Sequence, residues 1–349
     1  MENKIDIMSL YESEIGELMK EIGEPKYRAE QIYTFLSHGV GFEDMTNLPK
    51  KLRDRLSDMC EFRLPKVEKK LVSKIDGTVK YLMRLIDGER IESVFMRYEH
   101  GNTLCVSSQV GCRMGCRFCA STIGGKVRDL TAGEILGQII AAQADTGERV
   151  SNVVMMGIGE PLDNFDNVTR FLRLVNSENG LNIGYRHISL STCGLVDKIR
   201  MLAELEYPIT LSISLHASSN EKRSEIMPVN NRWSIEKLLD ACVDYYIKTG
   251  RRISFEYTLI AGKNDTPSDA RELAVLLRNA FAECEAPVHV NLIRVNEVEE
   301  TGFKRGSEDS VNRFADMLNR MGVTATVRRR LGADVNAACG QLRHTDSGK

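Results

Sequence analysis

Three cysteines fall within eight residues, Cys112-Arg113-Met114-Gly115-Cys116-Arg117-Phe118-Cys119, in the spacing C-x3-C-x2-C. No other stretch restricts the fold as strongly. Thiolates this close on a turn bridge one another poorly but converge well on one metal centre. A strand-like run, Thr103–Ser108, leads directly into them. A closed structural zinc site wants four ligands, as two C-x2-C pairs or with histidines at short spacing. No histidine lies between His100 and His187, so a fourth local ligand is missing. A [4Fe–4S] cluster on three cysteines keeps one iron open for a substrate or cofactor. The ligand count favours that reading over zinc.

With 349 residues the chain is long enough for one large or two ordinary domains. A hydrophobic fraction of 42% and a charged fraction of 28% suit a soluble globular enzyme. Met1–Asp6 has neither a basic nor an apolar leader region, and no apolar run approaches a membrane span. The expectation is a cytoplasmic protein with no membrane partner, sufficient as a monomer. Nine cysteines in a reducing compartment read as thiols or metal ligands rather than a disulfide framework. A net charge of −2 means that any nucleic-acid surface has to be a local patch.

Residues 1–97 read as a separate accessory domain. It has short amphipathic helices at Ser13–Ile22, Lys26–His38 and Pro49–Asp58, then two strands, Lys66–Lys74 and Thr78–Ile86, joined through Asp76-Gly77. Lys50, Lys51, Arg53 and Arg55 make the third helix basic; a solvated face is the ordinary explanation. With the basic hairpin they suggest an RNA-holding lobe. Residues 98–331 change rhythm to six strand-then-helix units, which indicates an α/β fold, a parallel sheet curled into a partial (β/α)6 barrel with chemistry at the C-terminal strand ends. Thr131-x-x-Glu134 is a capping box for the first of these helices. Residues 332–349 form a tail.

After the second strand comes Met156-Gly157-Ile158-Gly159-Glu160-Pro161-Leu162. Its glycines allow close backbone approach to a ligand, but no third glycine opens a helix as a dinucleotide fingerprint requires. Ser191 ends the third strand, Ser214-Leu215-His216 the fourth, and Asn296 follows the sixth, all facing one mouth. In the tail, Ala337-Ala338-Cys339-Gly340-Gln341-Leu342 places a cysteine among small residues, accessible as a nucleophile suits, whereas a buried inert thiol is the default for a free cysteine.

The octet, with Phe118 before its last cysteine, resembles the signature of the radical S-adenosylmethionine (SAM) superfamily, and the Gly159-Glu160-Pro161 run resembles the motif that pairs with the SAM ammonium group in that superfamily. Together with Cys105-Val106-Ser107-Ser108-Gln109-Val110-Gly111 and the Ala-Ala-Cys-Gly-Gln-Leu tail, the chain resembles the RlmN/Cfr group of radical SAM adenosine methyltransferases from about residue 20 to residue 343. The resemblance implies a cluster on Cys112, Cys116 and Cys119, and two SAM molecules per turnover. Gly159, Glu160, Ser191, Ser214, Leu215, His216 and Asn296 then bind cofactor. One SAM methylates Cys339; the other yields a 5′-deoxyadenosyl radical that takes hydrogen from the S-methyl group. The carbon radical adds to adenine, Glu92 accepts a proton, and Cys105 resolves the protein–RNA crosslink as a disulfide with Cys339. The implied partners are 23S rRNA, tRNA and an electron donor such as flavodoxin or ferredoxin. Arg328–Arg330 would meet phosphates.

Within the group, Val110 and Ser121-Thr122-Ile123-Gly124-Gly125 look like the C2-methylating branch, which acts on an adenosine of the peptidyl transferase centre and on the adenosine 3′ of the anticodon. The C8-methylating resistance branch is the alternative. Asp334-Val335-Asn336 departs from the usual Asp-Ile-Asp and removes a charge near Cys339. A methylthiotransferase would need a second cysteine trio, and the N-terminal region has only Cys60. The non-enzymatic alternative is a zinc-dependent RNA-binding module.

Overall fold

The computed structural model describes residues 4–297 and 302–335. The chain opens with β1 (Ile5–Asp6), α1 (Glu12–Glu21), α2 (Tyr27–Ser37), α3 (Lys50–Met59) and β2 (Cys60–Glu61), the two short strands pairing with each other. Each helix turns an apolar stripe inward: Ile15, Leu18 and Met19 from α1, Ile32 and Leu36 from α2, Leu52 and Leu56 from α3. On α3, Arg53 donates to the Glu43 carbonyl and Arg55 to the Ile22 carbonyl at 2.9 Å. Two of its four basic residues therefore hold the lobe together.

Next come β3 (Lys66–Val72), β4 (Val79–Arg84), β5 (Arg90–Met96), β6 (Thr103–Cys105), β7 (Gln109–Gly111) and β8 (Lys126–Asp129). Then follow α4 (Ala132–Thr146), β9 (Asn152–Met155), α5 (Phe165–Asn176), β10 (Ile188–Thr192), α6 (Val196–Ala203), β11 (Thr210–Ser214), α7 (Asn220–Ile226), α8 (Ile235–Thr249), β12 (Ile253–Leu259), α9 (Pro267–Ala280), β13 (His289–Arg294), α10 (Glu308–Arg320) and β14 (Thr324–Val327). One sheet runs in the order β14-β13-β12-β11-β10-β9-β6-β5-β4-β3. From β6 to β14 all neighbours are parallel; β5, β4 and β3 continue it antiparallel. The six expected β/α units are present, and β14 adds a seventh parallel strand. That strand, Thr324–Val327, ends just before Arg328–Arg330.

The sheet passes through the expected boundary at residue 97 without a break, since Val94 of β5 registers with Cys105 of β6. The core is likewise continuous, uniting Ile15 and Leu52 of the N-terminal helices with Leu211 and Phe255 of the barrel. Close approach makes this possible. A Cβ on Gly133 would lie 2.9 Å from the Met8 backbone carbon, and the Gly133 N–H donates to Ser9 Oγ at 2.8 Å. The capping box forms as expected, Thr131 Oγ1 accepting from Glu134 N at 3.1 Å and Glu134 Oε2 from Thr131 N at 3.0 Å.

Parallel strands covered by helices usually read as unbroken apolar runs. Here β10, β11 and β12 alternate instead. Leu190, Leu211, Ile213 and Phe255 join the helix-covered core, while Ser191, Ser214, Glu256 and Thr258 line an internal cavity. A polar row, Ser214–Glu256–Asn291–Thr326, crosses four strands in register. These strands turn a polar row toward the lumen.

Candidate active site

The cysteines sit in the loop between β7 and β8. Gly111, at φ +76°, ends β7 so close to the returning strand that a Cβ there would lie 1.9 Å from the Gly125 carbonyl oxygen. Any side chain at 111 forces the loop open. Inside it, Cys112 N–H donates to Gly125 O at 3.1 Å and Cys119 N–H to Cys116 O at 3.0 Å, while Arg117 N–H reaches the Ile226 carbonyl of α7 at 2.9 Å. All three thiols line a cavity of about 510 Å³ at the C-terminal ends of the parallel strands. Among the described residues no three His, Cys, Asp or Glu side chains converge on a single ion.

Burial pushes the Cys112 thiol up to about 12, with Glu160 and Cys119 adding to it. Burial, then the two neighbouring thiols, raises Cys116 well above the ordinary range. Such thiols keep their protons at neutral pH unless a metal centre supplies the compensating charge, since it is the thiolate that ligates. Three thiols facing one cavity, two of them pushed up by burial, fit the open-iron cluster.

Glu160 follows β9 on a tight turn. Gly159, at φ +108°, leaves no room for a Cβ, which would meet Gln109 N at 2.8 Å. Glu160 N–H donates to Gln109 Oε1 at 2.9 Å; its carboxylate accepts from Leu162 N–H at 3.0 Å and Cys193 N–H at 2.7 Å. Burial pushes this carboxyl up, against the hydrogen bonds that favour the anion. Beside it Asp163 receives Gln109 Nε2 at 2.9 Å and Lys126 Nζ at 3.0 Å, and also pairs with Arg113. Burial alone would raise Asp163, but the bonds from Arg113, Gln109 and Lys126 outweigh it and hold the group below the ordinary range. Asp163 thus ties the cysteine loop to the Glu160 turn.

His216 takes φ +58° after β11. Its Nδ1 accepts from Thr258 N–H at 2.9 Å, and Phe118 meets the ring edge-on at 4.9 Å. Burial, then the nearby Arg223 charge, pushes the imidazole down to about 3. Arg223, fully buried, donates to the carbonyls of Leu215 (3.1 Å), Ser214 (3.1 Å) and Cys193 (2.7 Å) and to Asn230 Oδ1 (3.1 Å). It gathers the ends of two strands beneath the cavity.

Of the residues expected from sequence, Cys105, Cys112, Cys116, Cys119, Gly159, Glu160, Ser191, Ser214, His216 and Asn296 line this one cavity. Leu215 and Glu92 are not among its lining residues. Leu215 is fully buried and contributes its backbone. Glu92 lies buried on β5, its carboxylate 3.1 Å from Lys80 Nζ and its carbonyl accepting from Ser107 Oγ at 2.6 Å. Cys339 lies outside the described residues. Asp163, Arg223, Glu256 and Thr258 were missed by sequence reasoning. For Glu256 and Thr258 the signal was available: Ser254-Phe255-Glu256-Tyr257-Thr258 alternates polar and apolar. Arg294, Arg305 and Arg328–Arg330 also line the cavity.

An open parallel barrel with three cysteines in the loop beyond its first strand, all facing the lumen, defines a radical SAM enzyme, and residues 106–277 match the radical SAM superfamily. Residues 5–62 match the ribosomal RNA large subunit methyltransferase N-terminal domain. The chain is 53% identical over 341 residues to the probable dual-specificity RNA methyltransferase RlmN of Alkaliphilus oremlandii, covering 97% of this chain and 98% of that protein. It is 54% identical over 328 residues to the RlmN of Clostridium botulinum strain Eklund 17B, covering 94% and 93%. The crystal structure of a radical SAM methyltransferase from Sphaerobacter thermophilus matches with a TM-score of 0.91 and 40% identity, covering 97% of this chain and 98% of that one. The chain belongs to the RlmN family. As in that family, its cofactors are a [4Fe–4S] cluster and SAM.

Proposed function

We propose that this protein methylates C2 of adenine in 23S rRNA and tRNA, with Cys339 as methyl carrier. The observation that carries this reading is the single cavity joining Cys105, the cluster cysteines and Glu160 behind an arginine-lined mouth. C2 of adenine is electron-poor and offers no nucleophile, so polar methylation has no workable route. When bound, the cluster and SAM would supply a 5′-deoxyadenosyl radical able to take hydrogen from an S-methyl group, and a carbon radical made so needs no nucleophilic acceptor.

The chain's own residues have distinct tasks. Cys112, Cys116 and Cys119 hold the cluster as thiolates. Glu160, kept in place by two backbone N–H groups, receives the SAM ammonium beside Gly159, with Ser191, Ser214, Leu215, His216 and Asn296 completing the cofactor site. Cys105, in the lumen wall, resolves the crosslink from Cys339. Glu92 is the proton acceptor; it is held firmly two residues before Val94, which registers with Cys105. Arg328–Arg330 receive phosphates while an unstacked base enters the lumen.

Residues 1–97 form the RNA-holding domain, 98–331 the barrel and 332–349 the tail. A flavodoxin or ferredoxin supplies electrons to a cytoplasmic monomer. Among the described residues no helix is long and apolar enough to cross a membrane. The test is mass spectrometry of adenosine from rRNA and tRNA incubated with reconstituted enzyme, beside 2-methyl and 8-methyl standards. The 2-methyl product in both RNAs is expected; 8-methyladenosine alone overturns the regiochemistry, and unmodified RNA overturns the reading.

A further inference from the structure

The segment leading to Cys339 leaves the sheet after β14, at one end of the strand order, and is held at the other end. Asp334 accepts the Ser73 hydroxyl at 2.6 Å and the Lys74 N–H at 2.8 Å. In return, the Gly332 N–H donates to Asp76 Oδ2 at 2.8 Å. The turn between β3 and β4 presents these groups already fixed. Ser73 Oγ accepts from Ile75 N–H at 3.2 Å and Asp76 N–H at 3.3 Å, and Asp76 Oδ1 accepts from Thr78 N–H at 3.0 Å. Behind the turn, Arg97 donates to the Gly77 carbonyl and pairs with Glu148 beyond α4 at 3.0 Å. On the tail side Gly332 takes φ +60°, and the Val335 N–H returns to its carbonyl at 3.2 Å. Leu331 packs with Val94, Met96 and Cys105.

The geometry points to the Ser73–Thr78 turn as a docking latch that holds the segment leading to the methyl-carrying Cys339 beside the cavity, which Gly332 and Ala333 line. This rests on the reading of Cys339 as that carrier. Cys339 lies five residues beyond Asp334, so a held Asp334 keeps its Cα within about 18 Å, the reach of five extended residues. Released at Asp334 and Gly332, the tail is next held where Leu331 packs with Val94, Met96 and Cys105. Eight residues then reach about 29 Å, and the volume open to the thiol grows roughly fourfold. Ser73, Asp76 and Asp334 are positioning residues and touch no reacting atom.

The experiment compares reconstituted wild type with Asp334→Ala, Asp334→Asn and Ser73→Ala. Docking is read by hydrogen exchange at the Lys74 and Gly332 amides; function is read by the rate at which Cys339 gains a methyl group, followed by mass spectrometry. Asp334→Ala should speed exchange at both amides and slow S-methylation about fourfold, with iron content and SAM cleavage to 5′-deoxyadenosine unchanged. Asp334→Asn, which keeps an acceptor, should recover much of the rate. Unchanged exchange in Asp334→Ala overturns the docking, and an unchanged S-methylation rate overturns its positioning role. If exchange rises while wild-type Cys339 never gains a methyl group, the carrier reading fails and the latch loses its purpose.

Discussion

The two faces of the parallel sheet are built from the same strands yet obey opposite rules. On the outer face Leu211, Ile213, Phe255 and Leu292 belong to one buried apolar core with Leu238, Leu273 and Leu318 of the helices. On the inner face the polar row is paired instead of packed. Asn291 Nδ2 donates to Glu256 Oε2 at 2.8 Å, and the ring of His289 lies between Ser254 Oγ at 2.9 Å and Thr326 Oγ1 at 3.0 Å. Burying polar groups costs free energy unless every one is matched, and those facing a ligand stay open to exchange partners. The outer face secures stability; the inner face spends part of it on recognition.

Four measurements break or sharpen that contrast. The largest effect belongs to the inner mouth: Cys116→Ala, reconstituted anaerobically, should fall from about four irons per chain to below about one and lose all RNA methylation. Stoichiometric zinc in the wild type would instead favour the RNA-binding module. On the outer face Phe255→Ala should cost about 3–5 kcal/mol in urea unfolding while the surviving folded enzyme keeps its iron. Loss of iron without loss of stability would erase the distinction between faces.

A third test is pH. His216 is held near 3 when folded, against an ordinary value of 6.5, so the unfolded chain takes up the proton first as pH falls. Its contribution is fully present above about pH 6.5 and is lost toward about pH 3, at up to roughly 1.4 kcal/mol per pH unit. His216→Asn, which tolerates φ +58° and retains an acceptor for Thr258 N–H, should flatten that slope. The smallest stability change is expected of Glu256→Gln, under about 1 kcal/mol in thermal unfolding. The same substitution should lower kcat/KM for RNA about tenfold, a loss of transition-state stabilisation worth about 1.4 kcal/mol. A variant as active as wild type would make Glu256 a spectator.

Much of this was legible in the chain because local chemistry decided it. The cysteine spacing, the Thr131 capping box and the six strand–helix units depend on residues near one another in sequence. The β7–β8 pairing was not legible, because strands of three and four residues around a long loop carry no periodic signal. Nor was the seventh strand, Thr324–Val327, whose short run is outweighed by the arginines that follow. The continuity of the sheet across residue 97 was not legible, because hairpin strands resemble an independent unit until the pairing of β5 with β6 is seen. Arg223 lies on the short polar helix Asn220–Ile226, and only the convergence of three carbonyls on it explains its burial.

The sheet's terminal strands do not pair with each other among the described residues. Three hydrogen bonds between the β3–β4 turn and the Gly332–Asp334 segment stitch that seam, at roughly 1 kcal/mol apiece. Every other line through the sheet crosses a continuous ladder. Elastic deformation will therefore concentrate at the seam, giving this otherwise stiff shell one compliant side, next to the residues that lead to its terminal thiol.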